Sequence, residues 1–226
     1  MKVMVLAAGR GERMRPLTET RPKALVEAGG KALIVRVIEN LHAAGFREFV
    51  INHAHLGAMI EAALGRGERF GVRIQYSREP EPLETAGGIA TALSLLGDTP
   101  FAAVNCDLHT DYPFARLRSA LGASAVAHLV LVDNPPHHPR GDFGLTEGHV
   151  VNAAASMLTF SGIGVYRPEL FAGIAPGTHA QLATLLRKAA DEARVTGEHY
   201  SGDWRDVGTP ERLATLDAEL RARDRA

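Results

Sequence analysis

From Leu6 to Leu25 the chain reads Leu-Ala-Ala-Gly-Arg-Gly-Glu-Arg-Met-Arg-Pro-Leu-Thr-Glu-Thr-Arg-Pro-Lys-Ala-Leu, a stretch rich in the groups that bind anions. Gly9 and Gly11 free the backbone to turn tightly and to present N–H groups to a phosphate, and Arg13, Arg15 and Lys23 add three fixed positive charges. Met14 occupies the place of the third glycine in the dinucleotide fingerprint G-x-G-x-x-G, and no Gly-Lys-Ser/Thr follows, so neither that fingerprint nor the P-loop is present. A second reactive group is Asn105-Cys106-Asp107. A carboxylate at the tip of a buried strand, near a phosphate loop, suits a hard cation such as Mg²⁺. Cys106 could instead serve as a nucleophile, but the sequence places no histidine beside it. His53 and His55 alternate along a strand end without a third ligand by spacing, which favours loop packing or polar lining over a metal site, and the adjacent His137 and His138 diverge in a regular chain, which argues against a zinc site there.

The elements that must hold these groups follow from the hydrophobic pattern. Residues 2–6 form a short apolar run suited to a buried parallel strand. Leu33, Ile34, Val37, Ile38 and Leu41 recur at helical spacing, with Gly45 as the expected C-cap. Strands are expected at 49–52, 72–76, 101–105 and 127–132, and helices at 56–64, 89–96, 114–121 and 180–193. This alternation implies βαβ units, a parallel sheet covered on both faces, and ligands at the carboxyl ends of the strands. Residues 79–88 form a proline-containing loop, read as stopping at Gly87 and Gly88 before the helix, that can lie flat against a planar base; Glu84 could alternatively cap that helix. Asp133 to Leu145 is a shaped loop with three prolines and two glycines, followed by a hairpin-like return near Gly148. Thr209 as N-cap, Pro210 at N1 and Glu211 in the first turn start an Arg-rich terminal helix, and Asp206 stands just ahead of it as a strand-end carboxylate.

The 226 residues suffice for one sizeable core and fall below the length at which cores usually divide, so one domain over 1–226 is expected. A net charge of −1 excludes nucleic-acid binding by bulk positive charge, so anion binding must come from local clusters. One cysteine leaves no intrachain disulfide, no charged-then-apolar leader opens the chain, and no apolar run nears the ~20 residues of a membrane span. A cytoplasmic setting without membrane contact is expected.

The ordered string Leu-Ala-Ala-Gly-x-Gly-x-Arg-Met-x-Pro-Leu-Thr, followed by Arg-Pro-Lys-Ala-Leu, resembles the signature of the sugar-1-phosphate nucleotidyltransferases. Leu-Glu-Thr-Ala-Gly-Gly, Asn-x-Asp and Trp-x-Asp-Val-Gly-Thr match further segments of that family, with Cys106 where the family has glycine. Asn-Pro-x-His-His-x-Arg-Gly-Asp-Phe and Leu-Thr-Phe-Ser-Gly-Ile-Gly-Val narrow the resemblance to the N-acetylmuramate α-1-phosphate uridylyltransferases, across nearly the whole chain. The resemblance implies a Rossmann-like, GT-A-like three-layer α/β/α fold with a mostly parallel central sheet, its nucleotide half near 1–110 and its sugar half near 111–226. It implies Mg²⁺, with Mn²⁺ as the alternative, on Asp107 and Asp206. Nucleotide binding falls to Ala8, Gly9, Gly11, Glu12, Arg13, Lys23, Glu84, Thr85 and Gly88; catalysis to Arg13, Lys23 and Asp107; sugar binding to Asn105, Gly141, Asp142 and Ser161.

The partners so implied are UTP and a sugar 1-phosphate, joined into UDP-N-acetylmuramic acid and pyrophosphate for cell-wall sugar recycling. Guanylyl transfer to mannose 1-phosphate is the nearest alternative, and a non-catalytic nucleotide-sugar sensor is the alternative of another class. No β-helix repeat follows the last helix, so a monomer, or a weak dimer, is expected in place of the oligomers of some relatives.

Overall fold

The computed structural model describes residues 1–223. In chain order its elements are β1 (Val3–Leu6), β2 (Glu27–Ala28), β3 (Lys31–Ala32), α1 (Leu33–Ala43), β4 (Glu48–His53), α2 (Gly57–Leu64), β5 (Arg73–Arg78), α3 (Glu84–Leu96), β6 (Phe101–Asn105) and β7 (Leu108–Thr110). There follow α4 (Leu117–Ala120), β8 (Ala127–Val132), β9 (Phe143–Thr146), β10 (His149–Val151), β11 (Met157–Tyr166), α5 (Leu182–Asp191), β12 (Val195–Tyr200), β13 (Trp204–Asp206) and α6 (Pro210–Arg223). Nine strands make one sheet in the order β5-β4-β1-β6-β11-β8-β12-β10-β9, and β9 pairs again with β11. The mixed α/β architecture with a large central sheet matches the expectation from the sequence.

Alternation along β1 shows why three layers form. Val3 and Val5 point into one core with Ile34, Val37, Ile38 and Leu41 of α1 and Ile60 and Leu64 of α2. Met4 points the other way, against Ala86, Ile89 and Leu96 of α3 and Leu186 of α5. A strand buried on both faces must be apolar throughout, as this one is. Burying each such side chain stabilises the fold by about 1.5–3 kcal/mol relative to leaving it exposed. A third cluster joins Met14 of the glycine loop to Val26, Leu33, Val207, Leu216 and Leu220, and so fixes that loop to α6.

Parallel pairing holds across β5-β4-β1-β6 and between β8 and β12. Strand β11 is antiparallel to both β6 and β8, and the hairpin β9–β10 returns the sheet edge to β11. Between Phe160 and Gly164 the register of β11 on β8 shifts, and Gly162, at φ 77°, sits in this bulge. Its hydrogen replaces a Cβ that would come within 2.4 Å of the Asn105 amide. The bulge thereby brings β11 close against the end of β6.

Four details differ from the sequence reading. Helix α3 starts at Glu84 and runs through Gly87 and Gly88, because a Cβ at Gly87 would meet the Thr178 carbonyl at 2.1 Å and one at Gly88 would meet Glu79 at 2.7 Å. Residues 195–200, polar in part, form β12 beside β8. The expected helix at 114–121 is a short 3₁₀ turn over Phe114–Arg116 followed by one turn of α-helix. Two-residue β2 and β3 and the β7–β13 pair were not legible in the pattern.

Candidate active site

Strands β1 and β6 lie side by side in parallel, so their carboxyl ends open at the same edge of the sheet. There the glycine loop leaves β1 and Asn105-Cys106-Asp107 leaves β6. Gly11 adopts φ 66°, and its missing Cβ would touch Lys23 and Thr18 at 3.0 Å. Thr18 locks the turn by donating its hydroxyl to the Gly11 carbonyl at 2.8 Å. The resulting turn carries Lys23 to Asp107, where ammonium and carboxylate pair directly, both largely buried.

Three cavities run in sequence along this edge. One of about 310 Å³ is lined by Ala8, Gly9, Lys23, Asn52, Glu79 and Asp107, among others. It shares Gly9 and Lys23 with an open cavity of about 520 Å³ that also takes in Gly11, Glu12, Arg13 and Arg10. On the other side it shares Leu6, Glu84, Thr85 and Asn105 with a cavity of about 290 Å³ lined by Asp142, Phe160, Tyr166 and Gln181. Cations thus stand at one end, an aspartate at the other, and Asn105 at the junction. Glu84 holds φ 61° at the start of α3, an uncommon angle for a side-chain-bearing residue, and it too stands at the junction.

Asp142 is set by its loop. Its backbone N–H bonds the Leu158 carbonyl at 2.7 Å, one carboxylate oxygen accepts the Phe160 N–H at 2.8 Å, and the other lies 3.0 Å from His138 Nε2. Gly141 lines none of the three cavities; at φ 64°, it makes room for the Asn134 side chain and the Leu158 carbonyl, and so aims Asp142. The expectation of direct sugar contact is also corrected for Ser161, which is buried with its hydroxyl donating to the Val130 carbonyl and accepting from the Ile163 N–H. That hydroxyl is fully used inside the β11 bulge. Gly88 likewise lies beneath the site, clearing space for Glu79 and Asn52.

Asn52 and Glu79 were not singled out in the sequence, yet both are buried and face the cavity beside Lys23. The Asn52 carbonyl oxygen accepts the Ala7 N–H at 3.0 Å, while its amide donates to Glu79 at 2.7 Å; the other Glu79 oxygen accepts the Leu83 N–H at 3.1 Å. Burial pushes the Glu79 carboxyl above its ordinary pKa, against the opposing pull of these donors. Asn52, which ends the apolar run Phe49–Ile51 within β4, was the available signal.

Asp206 closes β13, whose pairing with β7 and the bond from Val207 N–H to the Asp107 carbonyl at 2.9 Å bring the two aspartate backbones together. Two carboxylates on adjacent chain ends, both partly open, are hard oxygen donors of the kind that Mg²⁺ uses alongside substrate phosphates. The donor set fits that ion. No cluster of three or more His, Cys, Asp or Glu side chains placed to hold a metal occurs among the described residues. His53 pairs with Glu61 at 2.7 Å, His137 with Asp206 and His138 with Asp142. Cys106 has no positive φ, so the side chain at the family's glycine position is accommodated in ordinary backbone. Its thiol is buried and pushed up to about 12, by burial and then by the Asp107 charge, which leaves no thiolate for catalysis near neutrality.

The family model for nucleotidyl transferases matches residues 2–223. This chain belongs to the nucleotidyl transferase family. It is an enzyme fold with close relatives: an N-acetylmuramate alpha-1-phosphate uridylyltransferase of Neisseria meningitidis serogroup B is 52% identical over 225 residues, covering 96% of this chain and 97% of that protein. A protein of the same description from Caulobacter vibrioides is 36% identical over 232 residues, covering 96% of each. Among solved structures, the inositol-1-phosphate CTP transferase of T. maritima superposes with a TM-score of 0.78 at 20% identity, over 98% of this chain and 94% of that one, which shows the shared fold. This nucleotidyltransferase therefore keeps Arg13, Lys23, Asp107 and its three cavities at the carboxyl ends of β1 and β6, where an open α/β sheet binds ligands. No helix among the described residues is long and apolar enough to cross a membrane.

Proposed function

We propose that this nucleotidyltransferase transfers UMP from UTP to N-acetylmuramic acid α-1-phosphate, releasing pyrophosphate, and that it works in the cytoplasm in the recycling of cell-wall sugars. The observation that carries this reading is the row of three cavities, cationic at one end and carboxylate-lined at the other, in a chain so similar to the Neisseria uridylyltransferase. Both substrates are anions, and their mutual repulsion is the barrier to be overcome. Arg13 and the N–H groups around Gly9 and Gly11 receive the triphosphate, and Lys23 turns from Asp107 toward the phosphate that reacts. The base lies against the 79–88 loop, with Ala8, Glu84 and Thr85 around the nucleoside. The Asn105 amide donates to or accepts from the sugar, and the Asp142 carboxylate accepts hydrogen bonds from it. Asp107 and Asp206 would hold Mg²⁺, or Mn²⁺, which when bound neutralises phosphate charge. An oxygen of the sugar phosphate attacks the α-phosphorus in line with the departing pyrophosphate, so no protein nucleophile takes part. Residues near 1–110 then serve the nucleotide and those near 111–226 the sugar, in one domain.

The test is a panel of four nucleoside triphosphates against several sugar 1-phosphates, with products weighed by mass spectrometry. UDP-N-acetylmuramic acid with stoichiometric pyrophosphate is expected. Preference for GTP with mannose 1-phosphate would move the reading to a guanylyltransferase, and pyrophosphate from no pair would make the chain a nucleotide-sugar sensor.

A further inference from the structure

The two aspartates proposed to hold the metal are each already paired with a cation, and the two cations differ in kind. Lys23, on Asp107, lines the phosphate cavities and has a substrate to move to. Arg212, on Asp206, lines neither of them. It projects from the first turn of α6, six residues beyond Asp206, and its Nη1 lies 2.5 Å from Asp206 Oδ1. The same nitrogen lies 2.7 Å from Nε2 of His137, which itself sits 3.0 Å from that oxygen. The end of β13 and the start of α6, six residues apart, thus meet the sequence-distant loop after β8 at one carboxylate oxygen. All three side chains face a separate cavity of about 410 Å³ walled by Trp204, Pro135 and Leu216, not the cavity that Asp107 lines.

The approach depends on Gly208. A Cβ there would stand 2.4 Å from Arg212 Nη2 and 3.2 Å from the second Asp206 oxygen, so any larger residue would push the guanidinium off the carboxylate. Arg212 is also only about a quarter exposed, which limits the screening of its charge by water. A divalent cation that recruits Asp206 must therefore compete with a fixed, fully charged guanidinium held at hydrogen-bond distance.

We propose that Arg212 is a positioning residue that latches Asp206 away from the metal site, so that the nucleotide-free chain binds divalent cations weakly. The proposal rests on Asp206 being a metal ligand. Drawing Asp206 off the latch leaves Arg212 with His137, in the loop that also carries Asp142, and so joins filling of the metal site to the sugar side of the cleft.

Mn²⁺ binding to the intact, nucleotide-free chain, followed by the electron paramagnetic resonance signal of free Mn²⁺, tests this without turnover. Arg212→Met is expected to tighten Mn²⁺ binding by about 5- to 10-fold, the scale set by removing one partly buried ion-pair partner. Arg212→Lys, which keeps the charge, is expected to return most of the wild-type affinity, and Asp206→Asn placed in the Arg212→Met background to erase the gain. Because Arg212→Met could loosen α6, His137→Ala serves as a second variant, with a smaller tightening expected. An affinity for Arg212→Met that is unchanged within twofold, or weaker, overturns the latch. If Asp206→Asn alone leaves Mn²⁺ binding untouched, with and without a non-hydrolysable UTP analogue, the metal role of Asp206 fails and the latch falls with it; if that variant weakens binding while Arg212→Met does not tighten it, only the latch fails.

Discussion

Lys23 is the residue on which charge bookkeeping in the cleft turns, since it pairs with Asp107 and lines two of the three cavities. Lys23→Ala removes a preorganised positive charge from reacting phosphates, and such losses cost about 10²- to 10³-fold in rate. A fall of kcat/KM by about two orders of magnitude is expected in steady-state kinetics; less than fivefold would make Lys23 a structural partner of Asp107 only. Asp142 makes the complementary case. A carboxylate repels phosphate, so Asp142→Ala is expected to raise KM for the sugar phosphate by about 10- to 100-fold while UTP titrations stay nearly unchanged. Equal weakening of both ligands would place the sugar elsewhere. Cys106 contributes packing, its thiol held protonated by burial, so Cys106→Ser should retain turnover and the native chain should resist iodoacetamide at pH 8.

At the scale of elements, the edge of the sheet is set by contacts that tolerate no extra atom. Gly162→Ala forces a Cβ onto the Asn105 amide and demands φ 77° of a residue that disfavours it. A stability loss of about 1–3 kcal/mol is expected in urea unfolding, with a shift of Asn105 visible as a higher KM for the sugar phosphate. A second element-level feature is Glu61 on α2, which accepts from Arg78 on β5 and pairs with His53 on β4. Its hydrogen bonds to Arg78, first, and then to His53 hold its carboxyl down at about 2, from an ordinary value of 4.5. A depressed folded-state pKa adds stability above the unfolded value that is lost as pH falls through the folded one, so between about pH 4.5 and 2 the wild type should lose Tm faster than Glu61→Gln. Parallel Tm curves for the two proteins would contradict this. Most of these elements were legible in advance, because β1, β4 and β6, buried on both faces, show as short apolar runs and α1 repeats at helical spacing. The start of α6 was legible too, from Thr209 and Pro210. Strand β12 was not: its Gly197, Glu198 and His199 give no apolar run, and it forms because β8 offers a parallel edge.

For the molecule as a whole, the phosphate loop, Asp107 and Asp142 come to line one row of cavities, since each sits at the end of an element whose position the pattern dictates. The sequence could not reveal the pairings Lys23–Asp107 and Arg212–Asp206, or the Asn52–Glu79 couple, because these join residues by the way the sheet folds and not by spacing. Ser161 shows the opposite error, a motif residue whose hydroxyl the bulge consumes. The central claim, that this cleft joins UMP to a sugar 1-phosphate, is tested most directly by incubating the chain with UTP, N-acetylmuramic acid α-1-phosphate and Mg²⁺ and weighing the products. UDP-N-acetylmuramic acid and one pyrophosphate per turnover are expected, both abolished by chelator and by Asp107→Asn. No nucleotide sugar from this pair, or undiminished product in excess chelator, would contradict the account.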